Sequence, residues 1–152
     1  MNPLELFIDG ACQGNPGPAG IGVVVVKNGK VIKEISQFIG VATNNIAEYT
    51  ALIFGLQEAL ILKAESVHVT TDSELLFYQI KGSYKVRDEN LKFLNAQVCH
   101  LLTGFKSFDI KHVMREKNSQ ADMLATQSIK NEQAKMIAPL FKRGEESPSS
   151  VG

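Results

Sequence analysis

Cysteine, proline and long apolar runs are all scarce in this 152-residue chain, and tryptophan is absent. Cys12 and Cys99 stand far apart with no second CxxC or Cys/His cluster, which argues against a disulfide framework and a zinc site and for a reducing, cytoplasmic setting. The densest apolar stretch, 46–62, is interrupted by Glu48, Thr50, Gln57 and Glu58, so it reads as a helix with one buried face, not a membrane span. Near the N-terminus, Glu5 and Asp9 with no preceding Lys or Arg do not fit a signal peptide, and no membrane is expected as a partner. An excess of either charge is also missing: 16 Lys and Arg balance 16 Asp and Glu, which on its face argues against a nucleic-acid binder. The balance hides an asymmetry. Residues 1–79 hold four Lys and eight acids, net −4, and residues 80–152 hold twelve Lys and Arg and eight acids, net +4. Either an acidic site lies beside a basic surface, or the charges are scattered by chance over a neutral protein.

What is present fits one globular domain, 1–142, followed by a Ser-, Glu-, Gly- and Pro-rich stretch, 143–152, that reads as a disordered tail. Leu4, Leu6 and Ile8 alternate with Glu5, Phe7 and Asp9 as in a strand. The Gly-Asn-Pro-Gly-Pro run at 14–18 is a turn leading to a strand at 21–27, and Asn28-Gly29 signals a hairpin into a strand at 30–38. Asn44 or Asn45 can cap a helix running to about Lys63; a short β-rich run, 67–71, ends at Asp72. Helices follow over about 73–80 and 88–102, then a strand at 108–114 and a helix from Ser119 to about Asn131. This order predicts an α/β fold, a mixed sheet with helices on its faces.

Four acids carry the chemistry, and each has two readings. Asp9 is disfavoured in a strand interior and needs a partner there, either a divalent cation or a Lys or hydrogen-bond network. Glu48 is placed in the first turn of a helix, where the macrodipole alone would favour it. Asp72 falls at the carboxyl end of a strand, where α/β sheets locate ligands, yet Thr71-Asp72-Ser73-Glu74 also fits a capping box. Ser119-Gln120-Ala121-Asp122 resembles the same box.

Their surroundings are more specific. Asp9-Gly10-Ala11-Cys12-Gln13-Gly14-Asn15-Pro16-Gly17, Thr43-Asn44-Asn45-Ile46-Ala47-Glu48, Thr71-Asp72-Ser73 and the segment from His112 through Asn118 to Asp122 resemble, in order and spacing, the four signature blocks of type 1 ribonuclease H. The resemblance implies a ribonuclease H-like fold with a five-stranded mixed sheet flanked by helices. It also implies an endonuclease that cuts the RNA strand of RNA–DNA hybrids with two Mg²⁺ ions, Mn²⁺ being possible, to give 5′-phosphate and 3′-hydroxyl ends. By the same resemblance Asp9, Glu48, Asp72 and Asp122 hold the ions, Asp9 shared by both. His112 matches the family's histidine that assists proton transfer or product release; a histidine on an alternating strand is otherwise a packing residue.

The family's hybrid-contacting positions fall on Cys12, Asn15, Thr43, Asn44, Asn45 and Glu74, with Asn15 and Thr43 at a DNA-phosphate pocket, and Arg115 and Asn118 are placed to touch phosphate. The RNA 2′-hydroxyl would supply the discrimination. This chain departs from the pattern at Ala11, where a serine is frequent, and at Glu74, where a glutamine is frequent. It resembles short members without the basic protrusion, having only Lys81, Lys85, Arg87 and Lys92 between 80 and 95. A weak or inactive hybrid-binding member, or another nuclease or transposase of the superfamily, is the competing reading. No obligate protein partner is evident from the sequence.

Overall fold

The computed structural model describes residues 2–145, and side chains as far as 137. Strands β1 (Leu4–Cys12), β2 (Gly17–Lys27) and β3 (Lys30–Ala42) form an antiparallel meander, with Asn28 and Gly29 both at positive φ (51° and 77°) in the hairpin between β2 and β3. Such a turn matches the strand twist, which is why Asn-Gly was informative. Helix α1 (Asn44–Ile61) then crosses to β4 (Ser66–Thr71), which pairs in parallel with β1. Helices α2 (Glu74–Lys81) and α3 (Glu89–Leu102) cross to β5 (Ser107–His112), parallel to β4. A short 3₁₀ turn at Arg115–Lys117 leads into α4 (Ser119–Glu145). The sheet order is β3-β2-β1-β4-β5, five strands of mixed sense flanked by helices, as the family resemblance implied.

Strand periodicity decides what each face meets. Leu4, Leu6 and Ile8 on β1 and Ile21, Val23 and Val25 on β2 share one face and pack with Leu52 and Leu56 of α1 and with Val98 of α3. Full burial of each such side chain stabilises the fold by roughly 1.5–3 kcal/mol. The opposite face receives α4. There a Cβ on Gly22 would collide with the Ala121 carbonyl, and one on Gly20 with Ser128, so the missing side chains let the helix lie directly on the sheet. Ala121 and Ala125, both fully buried, keep the helix side of this contact equally thin.

Several boundaries differ from the sequence reading. The last helix runs to Glu145 rather than Asn131, because Asn131 does not cap it: its Oδ1 accepts from Gln127 Nε2 at 2.7 Å along the helix surface. The first three residues of the expected tail are thus helical, and 146–152 lie outside the described residues. The third strand extends to Ala42, and the fifth stops at His112, after which Val113 N–H still donates to the Thr71 carbonyl (2.9 Å).

Candidate active site

The site lies at the carboxyl end of β1, and alternation along that strand explains its assembly. Asp9 and Gly22 are direct cross-strand partners and so share the α4 face, which brings Asp122, in the first turn of α4, against Asp9. Gly10 faces the other way, and a Cβ there would collide with the Ala47–Glu48 peptide of α1. That close approach lets the Gly10 N–H donate to Glu48 Oε1 at 2.5 Å. Asp72 arrives from the end of β4, directly alongside β1. One carboxylate oxygen from each of Asp9, Glu48 and Asp72 lies within 4.8 Å of the others; Asp122 touches Asp9 but is outside this group of three.

The local structure corrects the bland explanations of these acids. Glu48 is the fifth residue of α1, not in its first turn, so the helix dipole does little for it and Gly10 is its partner. The cap of α1 is Thr43, whose side chain accepts from Ile46 N–H at 3.2 Å, rather than Asn44 or Asn45. Ser73 caps α2, accepting from Leu76 N–H, while Thr71 Oγ1 accepts from Ser73 N–H; Asp72 caps nothing. Ser119 is inside α4, so no box forms with Asp122, which retains only the favourable first-turn position.

Electrostatically the cluster is unbalanced. Asp9 and Glu48 are each 4% exposed, and among the described residues no Lys or Arg pairs with any of the four acids. Burial, and then the charges of Glu48 and Asp72, hold the Asp9 carboxyl well above the usual range. Burial likewise raises Glu48, against the lowering effect of its contacts with Asp9, Gly10 and Ser73. Asp72 Oδ2 is buried with no hydrogen-bond partner. A buried carboxylate oxygen without a donor, within a donor set made only of oxygens, fits a hard divalent cation.

The remaining predicted residues divide. Asn118, 2% exposed, is inside the protein: its Nδ2 donates to the Ile8 carbonyl at 2.8 Å, beside Asp9, and its Oδ1 is buried without a partner. Arg115 is exposed in the 3₁₀ turn. His112 is also exposed, at the end of β5, its ring 6.0 Å from that of Phe77 on α2, so it is not a core residue. Cys12 packs half-buried on the small cluster of Ala19, Ala42 and Ala47, and burial raises its thiol. Asn15 Oδ1 accepts from Asn44 N–H at 2.9 Å, tying the Gly-Pro turn to the start of α1. Asn15, Thr43 and Asn45 line one side of a cavity of about 260 Å³, with Asp88 and Asn90 at the start of α3 on the other. Glu74 is exposed on the first turn of α2.

The sequence reading missed the roles of Gly10 and Ser73 at Glu48. The signal for the first was there, since a glycine inside a strand pattern marks a close backbone approach.

A family model described as reverse transcriptase-like matches residues 7–128. A curated ribonuclease HI of Halobacterium salinarum is 40% identical over 127 residues, 83% of this chain, which spans 64% of that relative's length. The crystal structure of an RNase H1 from the same halophilic archaeon superposes with a TM-score of 0.83 at 37% identity, covering 86% of this chain and 99% of that one. LC11-RNase H1, solved in complex with an RNA/DNA hybrid, gives 0.82 at 38% identity, with 86% and 99% covered.

Proposed function

The chain belongs to the type 1 ribonuclease H family, and from that premise we propose that it is an endonuclease hydrolysing the RNA strand of RNA–DNA hybrids. The observation that carries the reading is the cluster of buried Asp9 and Glu48 with half-buried Asp72, without a basic partner among the described residues and joined at Asp9 by Asp122. A fold needs no such arrangement, and leaving it uncompensated is costly.

Asp9, Glu48, Asp72 and Asp122 would hold two Mg²⁺ ions, Mn²⁺ suiting the same oxygen donors. When bound, the ions supply a reactive water on one side of the phosphodiester and charge neutralisation at the departing 3′-oxygen, leaving 5′-phosphate and 3′-hydroxyl ends. The protein's own groups do the positioning. Asp9, near Glu48 and Asp72 and in contact with Asp122, would be the ligand shared by both ions. Gly10 N–H fixes the orientation of Glu48, and Asn118 holds the strand beneath Asp9 in place of touching phosphate. His112, paired with Thr71 beside Asp72, and Arg115 are both exposed and open to substrate, His112 as the proton-transfer or product-release group.

The cavity lined by Asn15, Thr43, Asn45 and Asp88 would receive a phosphate of the DNA strand, and Cys12, Asn44 and Glu74 would be further contacts of the hybrid. Residues 1–142 act as the catalytic domain, in the cytoplasm, with no obligate protein partner. Among the described residues no helix is long and apolar enough to cross a membrane. End-labelled strands presented as hybrid, single-stranded RNA and duplex DNA test the reading: cleavage confined to the RNA of the hybrid supports it. Binding of hybrid without any cleavage would favour a binding module instead.

A further inference from the structure

Three buried or half-buried polar side chains from three helices form one directed chain that ends on a loop. Asn95 Nδ2 of α3 donates to the Tyr49 hydroxyl at 3.2 Å; that hydroxyl donates to Gln79 Oε1 of α2 at 2.7 Å; and Gln79 Nε2 donates to the Lys85 carbonyl at 3.4 Å. Tyr49 is 1% and Gln79 8% exposed, so each group would be costly to bury without these partners.

The two ends of this relay matter. Tyr49 directly follows Glu48 on α1. Lys85 lies in the α2–α3 loop, whose first half is held locally by Ser83 and Tyr84 N–H on the Tyr78 carbonyl and by Tyr84 against the Tyr78 ring, centroids 4.7 Å apart. Its second half has Val86 packed on the core and the Gln79 contact. Lys85 and Arg87 are exposed and form no ion pair among the described residues, and the loop ends at Asp88, a wall of the cavity shared with Asn15 and Thr43.

We propose that Asn95, Tyr49 and Gln79 are positioning residues that fix the α2–α3 loop to the catalytic helix, so that Lys85 and Arg87 meet the backbone of the hybrid in register with the acid site. The proposal rests on the hybrid-cleaving function above. In a chain with so short a basic segment, two cations held at one distance from the cleavage point replace a larger, looser basic surface. A preorganised cation loses less freedom on binding, so the relay acts on substrate affinity and not on the chemical step.

The test compares the full chain with Tyr49→Phe and with Asn95→Ala, each alone and combined with Lys85→Ala/Arg87→Ala, on a labelled RNA–DNA hybrid with Mg²⁺. Both relay variants should raise KM about fivefold, the size of one lost hydrogen bond, with kcat within about twofold. In the Lys85→Ala/Arg87→Ala background they should raise it no further, because nothing remains for the loop to present. Asn95 is only half-buried, so its variant keeps the test open should Tyr49→Phe fold poorly. An unchanged KM, a fall in kcat alone, or the same rise in both backgrounds would overturn the proposal. A wild-type chain that neither binds nor cleaves hybrid would instead overturn the function on which it rests.

Discussion

Asp9 is held where folding alone disfavours it, 4% exposed, facing two other acids and touching a third. Asp9→Asn should therefore abolish cleavage while leaving the metal-free protein at least as stable, since the proposed shared ligand is lost and a buried carboxyl that is costly to ionise gives way to a neutral amide. Cleavage at the wild-type rate, or a melting temperature several degrees lower, would count against this. The same residue gives a pH dependence. Folded Asp9 and Glu48 retain protons that the unfolded chain has released, so metal-free stability is greatest below the unfolded carboxylate pKa, about 4, and falls as pH rises toward the raised folded values. Melting temperature without metal should drop between about pH 5 and pH 8, and drop less in Asp9→Asn. A flat profile in wild type would contradict the cluster's burial. His112 makes a different case: because it is exposed, His112→Ala should move stability by no more than about 0.5 kcal/mol, so a kcat that falls more than KM rises reports on turnover itself. Unchanged kcat would leave His112 as a surface residue beside Phe77.

Helix α4 carries Asp122, and its distance from β1 is set by glycine. Gly22→Val would drive a side chain into the Ala121 carbonyl and Leu124, displacing the helix that brings Asp122 to Asp9. Stability should fall by roughly 1–3 kcal/mol, as overpacking commonly costs, and the folded fraction should lose activity as well. Full activity per folded molecule would show that the spacing of α4 is not what positions Asp122. Much of this element plan was legible in the sequence. Asn28-Gly29 fixed one hairpin, the period of two placed Asp9 opposite the core-facing Ile8, and the 3.6-residue spacing placed α1. Caps were less legible, because Thr43, Asn44 and Asn45 are all good caps by type and only the chain's path chose Thr43. The end of α4 was hidden for a related reason, Asn131 being a stop signal whose amide oxygen is taken up by Gln127. The inward turn of Asn118 was not legible either, since contact with the Ile8 carbonyl spans 110 residues of sequence.

Across the whole molecule the charges are sorted rather than scattered at the site, where four acids meet without a basic partner while the cations of the second half stay outside. Those cations are not equivalent. Lys81 reaches Asp109 at 3.6 Å and Lys92 reaches Glu89 at 3.3 Å, leaving Lys85 and Arg87 without ion pairs among the described residues. Replacing all four by Ala should flatten the slope of log K against log salt for hybrid binding by about two units at most, nearly all of it reproduced by Lys85→Ala/Arg87→Ala alone. An unchanged slope would show that they only solvate the surface. The sequence displayed the opposite signs of the two halves, but not that Lys81 is already paired, because that contact depends on α2 meeting β5. If the acid cluster is a cation-dependent cleavage centre, the initial rate of hybrid cleavage by metal-stripped protein depends on the Mg²⁺ concentration supplied. That rate should start at zero without Mg²⁺, saturate as Mg²⁺ is added, and stay at zero in Asp9→Asn. Cleavage that persists undiminished in excess chelator would contradict it.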